Sequence, residues 1–453
     1  MALIPGNLTK SEALLSPTGV KATSANFIDP YTYAQQFSPD LLKEMYMKNG
    51  KGRITKFSSA IGTTRSFASD SLQHSEIGRL HQISEAVTFA SDLFTCQEAH
   101  NLRVKDIIMI SDGAKEWTAV VSNANSTTTF TAESQGAAFD FAGAVSLFAY
   151  SNTFGKGEGN FTEGKQWSPE MIYNYPQIIK EFYSINESDM AHISWVEAPQ
   201  YEGGHAWHNV EMGRTLDLYD NKIELTHIFG RRSIAGSDAA TGGFAKGMKG
   251  LVQQVEERGN LGNEYISTKD HLYQYAYRLK QQGDCRTATI WADHQQMVYF
   301  SDIAAGLNAG YAAGANYGMF QNKKDMAISM DFKTIYVAGV TFHITPLGIL
   351  DDPSLLGSTQ FKATSLACLI IPSGDKMVTE EGNSVARPYF STAYRRKDNI
   401  DRYRKVEIFG GNIGTPHKTD DMQALCKTEQ SNQVIAANNF TVVSRKAGFY
   451  TSA

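Results

Sequence analysis

Hydrophobic positions along the chain change period several times, and each change marks a different kind of segment. Residues 1–66 hold little that could form a core. Ser38-Pro39-Asp40 opens a short predicted helix through Leu41, Leu42 and Met45, and Gly50 closes it. The remainder is Ser, Thr, Ala and Asn, an arm that needs another surface, such as a neighbouring subunit, to lie on. From about 100 to 152 the pattern becomes short alternating runs. VKDIIMIS (104–111), EWTAVVS (116–122), TTTFTAES (127–134) and AVSLFAY (144–150) are separated by Asp112-Gly113, Asn123-Ala124-Asn125 and Gly136. This spacing predicts a small antiparallel sheet or barrel, inserted between segments of a different texture.

The stretch YNYPQIIKEFYSINES (173–188) has two periods at once. Ser168-Pro169-Glu170 reads as a helix start, yet Pro176 would end that helix after about two turns. Beyond it, Ile178, Phe182 and Ile185 suit a helix, whereas Ile179, Glu181, Tyr183 and Ile185 share one face of a strand. The longest helical pattern follows, over 205–229, with Met212, Leu216, Tyr219 and Ile223 at helical spacing. It corresponds to a rod of about 37 Å, with Gly213 as a weak point. Gly230 ends it, and Arg231-Arg232 stand at its negative end.

Residues 249–375 read as α/β. Leu251 and Val255 mark a helix ending before Gly259, and Ser267-x-x-Asp270 caps another through Leu272, Ala276 and Leu279. TATIW (287–291) is a buried strand, with Phe300, Ile303 and Leu307 on a helix behind it. KTIYV and VTFHI flank Ala338-Gly339, a two-residue hairpin, and SLACLII (365–371) suits an interior strand. From RKVEIF (404–409) to FTVVS (440–444) the chain is again β-like.

Composition changes this picture only modestly. With 453 residues, 42% apolar, there is material for more than one core. A net charge of −5 argues against coating nucleic acid, though not against a local basic patch. Cys96, Cys285, Cys368 and Cys426 are widely separated, which disfavours metal ribbons and disulfide scaffolds and suits a reducing cytoplasm. The first residues lack the charged and apolar regions of a signal peptide, and no apolar run approaches a membrane span.

Candidate chemistry is sparse. Glu202, His205, His208 and Glu211 recur every third residue, but on a helix the first and last face opposite ways. His205 and His208 with one Glu would need further metal ligands from elsewhere; the plainer reading is an exposed helix face. The glycine-rich run 242–250 lacks the lysine-serine ending of a phosphate loop and reads as a connector with two cations. Asp351-Asp352, followed by Pro353, is a turn signal as much as a carboxylate pair. The strongest charge cluster is Arg395-Arg396-Lys397 with Arg402, Arg404 and Lys405, interrupted by Asp398 and Asp401. It suits phosphates, a partner subunit or a solvated face.

Taken in order, the segments resemble the major capsid proteins of tailed bacteriophages, the Hong Kong ninety-seven type of fold. The similarity is to a subset with a β insertion before the long helix. A glycine-rich strip (Gly155-Lys156-Gly157-Glu158-Gly159) precedes Asn174-Tyr175-Pro176-Gln177-Ile178, in the place of an Asn-Tyr-x-Gln-Ile strand. Gly230-Arg231 stands at the end of the spine helix and Gly250-Leu251 at the next helix start. Pro176 within the motif and Gly203-Gly204 before the helix depart from the pattern.

The resemblance implies an α+β capsid fold. Its expected parts are an N-terminal arm (1–66), an extended loop region (67–198) with the inserted domain at about 100–152, and a spine helix opening a peripheral domain (199–250). An axial α/β domain (251–375) and a returning β segment of the peripheral domain (376–453) complete it. The implied function is a non-enzymatic shell protein that self-assembles into hexamers and pentamers around double-stranded DNA. It would be assembled in host cytoplasm and end in the virion, with no cofactor or membrane. Portal, scaffold or decoration proteins are the implied further partners. Expected subunit contacts are Ile179, Tyr183, Ile185, Leu41 and Leu42. Expected subunit or DNA charge contacts are Arg231, Arg232, Arg395, Arg396, Arg402 and Arg404. The rival readings are a nanocompartment shell of the same fold and a cytoplasmic metal-dependent hydrolase.

Overall fold

The computed structural model describes residues 63–90, 92–161, 164–165, 168–187, 207–242, 246–283, 285–303, 334–352, 354–358, 366–380, 383–410 and 418–446. The helix expected after Ser38, with Leu41 and Leu42, lies outside the described residues. The described chain is mixed α+β and forms two compact units. Of the described residues, one unit contains those in 179–224 and 404–428; the other contains those in 63–178, 225–403 and 429–446.

In the larger unit, the chain starts with β1 (Thr63–Phe67) and β2 (Leu72–Glu76). It then builds a closed barrel from β3 (Ile83–Ala90), β4 (Leu93–Thr95), β5 (Asp106–Ser111), β6 (Glu116–Ala124), β7 (Thr129–Ser134) and β8 (Val145–Asn152). The order around the barrel is β3-β4-β7-β6-β5-β8, so no strand edge is left open. Alternation puts Ile108 and Ile110 of β5, Ala119 and Val121 of β6, and Phe130 of β7 inside. Phe94 stacks on Phe130 at 4.9 Å between ring centroids. The barrel begins about twenty residues before the insertion expected at 100–152. In its first strand a bulge between Ser84 and Val87, with Ala86 at φ 52°, breaks the alternation.

No helix follows Ser168. Residues Glu170–Asn174 form β9, paired antiparallel with β2, and Gln177–Asn186 form β10. Pro176 sits between the two strands, where no ladder donor is required. Next comes α1 (Trp207–Phe229), the long helix that the spacing predicted.

The α/β part contains α2 (Leu251–Arg258), β11 (Asn260–Asn263), α3 (Lys269–Gln282) and β12 (Thr287–Ala292). Thr268, one residue after the expected Ser267, caps α3 by accepting the His271 amide at 3.2 Å. After a helical stretch at 294–303 come β13 (Thr334–Val337), β14 (Val340–Pro346) and β15 (Leu366–Pro372). Ala338 (φ 48°) and Gly339 (φ 82°) make the predicted hairpin turn, both in the left-handed region.

The chain then forms β16 (Asp375–Glu380), β17 (Asn383–Pro388), β18 (Phe390–Lys397), β19 (Ile400–Asp401), β20 (Lys405–Phe409), β21 (Asp421–Val434) and β22 (Thr441–Ser444). A six-stranded sheet runs in the order β11-β22-β15-β12-β14-β13. Leu272, Ala276 and Leu279 of α3, with Phe300 and Ile303, cover the face bearing Ile290, Phe342, Cys368 and Val443. β22 belongs to this sheet, whereas the whole of 376–453 was expected in the other domain. Val442 and Val443 are completely buried by pairing with β15 and β11, and this decides the placement.

Also in the larger unit, β18 pairs in parallel with β1 and antiparallel with residues 430–434 of β21. In the smaller unit, residues 423–427 of β21 pair with β20, and β10 pairs with β21. Tyr219 and Ile223 of α1 pack there on Ile179 and Cys426.

Candidate assembly surface

Alternation along β9 divides its side chains cleanly. Asn174 points inward and is only 4% exposed, while Met171 and Tyr173 point outward on the opposite face of the β2–β9 ribbon. Tyr175 and Ile178, which follow, are also exposed, and the Arg232 guanidinium lies 3.6 Å above the Tyr175 ring. A cavity of about 450 Å³ opens beside the ribbon, lined by Met171, Tyr173, Tyr175, Arg232, Lys249 and Glu257, among others. Large apolar side chains are thus left exposed along one side of this segment.

Apart from Leu72 and Ile172, the inward face of the ribbon is polar. Asn174 Nδ2 donates to the Lys249 carbonyl (2.9 Å), the Asn432 carbonyl (2.8 Å) and Asn432 Oδ1 (2.7 Å). Its Oδ1 accepts the amides of Tyr175 (2.9 Å) and Lys249 (3.0 Å). At the other end of the ribbon, Glu76 accepts the Ala436 amide at 2.7 Å and an Arg258 guanidinium hydrogen at 3.2 Å. Burial pushes the Glu76 carboxyl up. His74, the Ala436 amide and Arg258 outweigh that and hold it below the usual carboxylate range.

Of the contact residues expected on β10, Ile179 is turned into the chain's own core. It is 8% exposed and packs with Tyr219, Ile223 and Cys426. Tyr183 and Ile185 share its face and are half-buried; burial, with the nearby Glu211 carboxylate, pushes the Tyr183 phenol up. The outward side chains of this strand are the alternate ones: Ile178 (50% exposed), Lys180, Phe182 (53%) and Ser184. The period-two pattern identified two faces, and on the one expected to meet a neighbour α1 packs against Ile179.

The arginines are drawn into the chain's own ion pairs. Glu429, nearly buried, receives Arg395 Nη1 at 3.0 Å and Arg402 Nε at 2.9 Å, and Arg395 Nη2 also meets Asp70 at 2.7 Å. Arg404 bonds Asp220 at 3.1 Å and the wholly buried Glu224 at 3.4 Å. Arg231 pairs with Glu256 at 2.8 Å, and Arg396 stands 4.0 Å from Asp401, both still well exposed. Taking a carboxylate out of water requires such partners, so most of this cluster is committed internally.

Glu202, His205 and the side chain of His208 lie outside the described residues, and Glu211 stands near Arg214. Among the described residues no group of His, Cys, Asp or Glu is arranged to hold a metal ion. No described helix is long and apolar enough to cross a membrane. Asp351 accepts the His294 amide at 2.8 Å and Asp352 accepts the Ser354 amide and hydroxyl, which makes this pair a turn. In the glycine-rich run, Gly247 has φ 72° and the Gly250 amide donates to the Gly230 carbonyl at 2.7 Å. A Cβ on Gly250 would lie 2.5 Å from the Gly230 nitrogen. The Gly-Arg and Gly-Leu motifs are therefore one structural feature, a close approach of two backbones.

Sequence reasoning missed Asn432, Gln254 and His227, which surround Asn174. Gln254 Nε2 donates to Asn432 Oδ1 (2.6 Å) and to the Lys249 carbonyl (3.0 Å), and Asn432 Nδ2 donates to the His227 carbonyl (3.0 Å). The one signal in the sequence was the Asn-Tyr-x-Gln spelling itself.

No protein-family description matches the chain, and no curated protein sequence is similar to it. Similar solved structures include the capsid of the cyanophage P-SCSP1u, with a TM-score of 0.43 and 8% identity over 94% of this chain and 98% of that one. The capsid of Myoviridae phage XM1 is similar with a TM-score of 0.38 and 10% identity, over 94% of this chain and 99% of that one. The SrpI encapsulin of Synechococcus elongatus PCC 7942 is similar over 63% of this chain and 80% of its own, with a TM-score of 0.33 and 10% identity.

Proposed function

We propose that this chain is the major capsid protein of a tailed phage, assembling into hexamers and pentamers of an icosahedral head around double-stranded DNA. The observation that carries the reading is the outward run of Met171, Tyr173, Tyr175 and Ile178 along β9, its link and the start of β10, with Asn174 turned in. Phe182 adds an exposed ring in the smaller unit. An isolated enzyme gains nothing from such exposure; a subunit that must meet several copies of itself does. The order of segments supports the same reading: ribbon with inserted barrel, long helix, α/β sheet and returning strands. No catalytic role or cofactor is assigned. Portal, scaffold and decoration proteins are the expected partners, and the virion is the expected destination.

Electron microscopy and sedimentation of the expressed protein, with and without phage assembly factors, test this. Closed shells are expected, and a strictly monomeric species under both conditions would overturn it. The internal pairing of Arg395, Arg402 and Arg404 leaves fewer cations for phosphates, which favours keeping the protein-filled nanocompartment as a second reading. Nuclease-protected DNA inside particles from infected cells supports the phage head; packaged enzyme supports the nanocompartment.

A further inference from the structure

Asn174 belongs to a stretch singled out by its sequence, yet it faces away from the apolar surface that the function uses. Its side chain does to residue 249 what a neighbouring strand would do, taking the amide hydrogen and bonding the carbonyl of the same residue. Gln177 extends the grip: its Oε1 accepts the Met248 amide at 3.2 Å. Asn432 and Gln254 close the far side, both nearly out of water, and Asn432 also holds the last turn of α1 through the His227 carbonyl. Five segments therefore meet in one buried amide junction: β9, residues 247–249, α2, β21 and the end of α1. The Gly230–Gly250 contact lies beside it and leaves residues 247–250 no slack.

We infer that Asn174 is a positioning residue for self-association: through the amide junction it fixes where Met171, Tyr173 and Tyr175 are presented to the next copy of the chain. This rests on the shell reading above. Buried amide networks specify one arrangement because a shifted one leaves donors and acceptors unpaired in a dry site. The ribbon's own hold is slight on the apolar side. Leu72 is its one buried apolar side chain, so polar bonds, not packing, set its place.

The test uses the full chain and three variants: Asn174→Asp, Gln177→Met and Tyr173→Ser. Asn174→Asp keeps size but turns two donors into an acceptor facing the carbonyls of Lys249 and Asn432. Asp can still accept the Lys249 amide, but repulsion between its second oxygen and the two carbonyls is expected to open the junction. The variant is expected to fold, to raise exchange of the Lys249 amide by roughly tenfold or more, and to give few particles or particles of altered diameter. Tyr173→Ser is expected to reduce assembly while leaving Lys249 exchange unchanged. Particles of wild-type yield and diameter from Asn174→Asp would overturn the inference, as would unchanged Lys249 protection. If Asn174→Asp does not fold, Gln177→Met answers the same question, read at the Met248 amide with the same two overturning results. Wild-type protein that forms no particles would instead overturn the shell reading, while the exchange measurement still reports on the junction.

Discussion

Arg445 Nε donates to Asp293 Oδ2 at 2.7 Å, with both side chains almost wholly withdrawn from water (2% and 0% exposed). The same guanidinium donates to the Leu350 carbonyl at 2.8 Å, and Asp293 accepts the Gln296 amide at 2.7 Å and the Tyr265 hydroxyl at 3.0 Å. The pair joins the residue after β22 to the residue after β12. Asp293→Ala is expected to destabilise the fold by about 3–5 kcal/mol, because it strands a buried cation. Urea unfolding followed by circular dichroism measures this. A loss below about 1 kcal/mol would mean that water reaches the site.

The two faces of β10 make opposite predictions. Ile179→Ala removes a core side chain and is expected to cost about 2–4 kcal/mol. Phe182→Ser alters an exposed position and is expected to change unfolding free energy by about 0.5 kcal/mol or less, while lowering the yield of assembled particles. Chemical denaturation and sedimentation velocity on the same preparations separate the two effects.

Glu76 supplies a pH dependence. Its folded pKa lies below the ordinary glutamate value, so its contribution is fully present above that value and is lost as pH falls through the folded pKa. Protection of the Ala436 amide, which Glu76 accepts, taken relative to its intrinsic exchange rate at each pH, should fall on acidification below the ordinary glutamate range. Glu76→Gln should show lower protection at neutral pH and little further change in acid. Identical acid profiles for the two proteins would count against the ribbon's being held this way.

Gly250 is required for its size rather than its flexibility. Its φ of −73° is open to any residue, but a Cβ there would collide with the Gly230 nitrogen and the Ile228 carbonyl, both backbone atoms. Gly250→Ala is expected to cost about 1–3 kcal/mol in thermal or denaturant unfolding. A neutral outcome would show that the two backbones can part.

The four cysteines are buried, and burial pushes the thiols of Cys96, Cys368 and Cys426 up. Alkylation by iodoacetamide at neutral pH is expected to be slow in the native protein and fast after denaturation. Rapid labelling of the native chain would contradict the burial of these sites.

The sequence by itself determined the local elements whose signals are covalent or periodic. The strands at 106–152 follow from alternation, α1 from its 3.6-residue apolar spacing, and the Ala338-Gly339 hairpin from the need for left-handed backbone. Pro176 likewise marks a break that any fold must respect. Tertiary structure alone decided the rest. Which face of β10 is covered depends on where α1 lies, and alternation is blind to that. The run Thr428-Glu429-Gln430-Ser431-Asn432-Gln433 is wholly polar, yet it is buried strand, because arginines and amides distant in sequence satisfy it. The joining of β22 to the α/β sheet, and of the Gly230 and Gly250 motifs to each other, are long-range pairings of the same sort. Periodicity reports a residue's neighbours along the chain; hydrogen-bond satisfaction and steric closeness in the interior are set by partners far along the sequence.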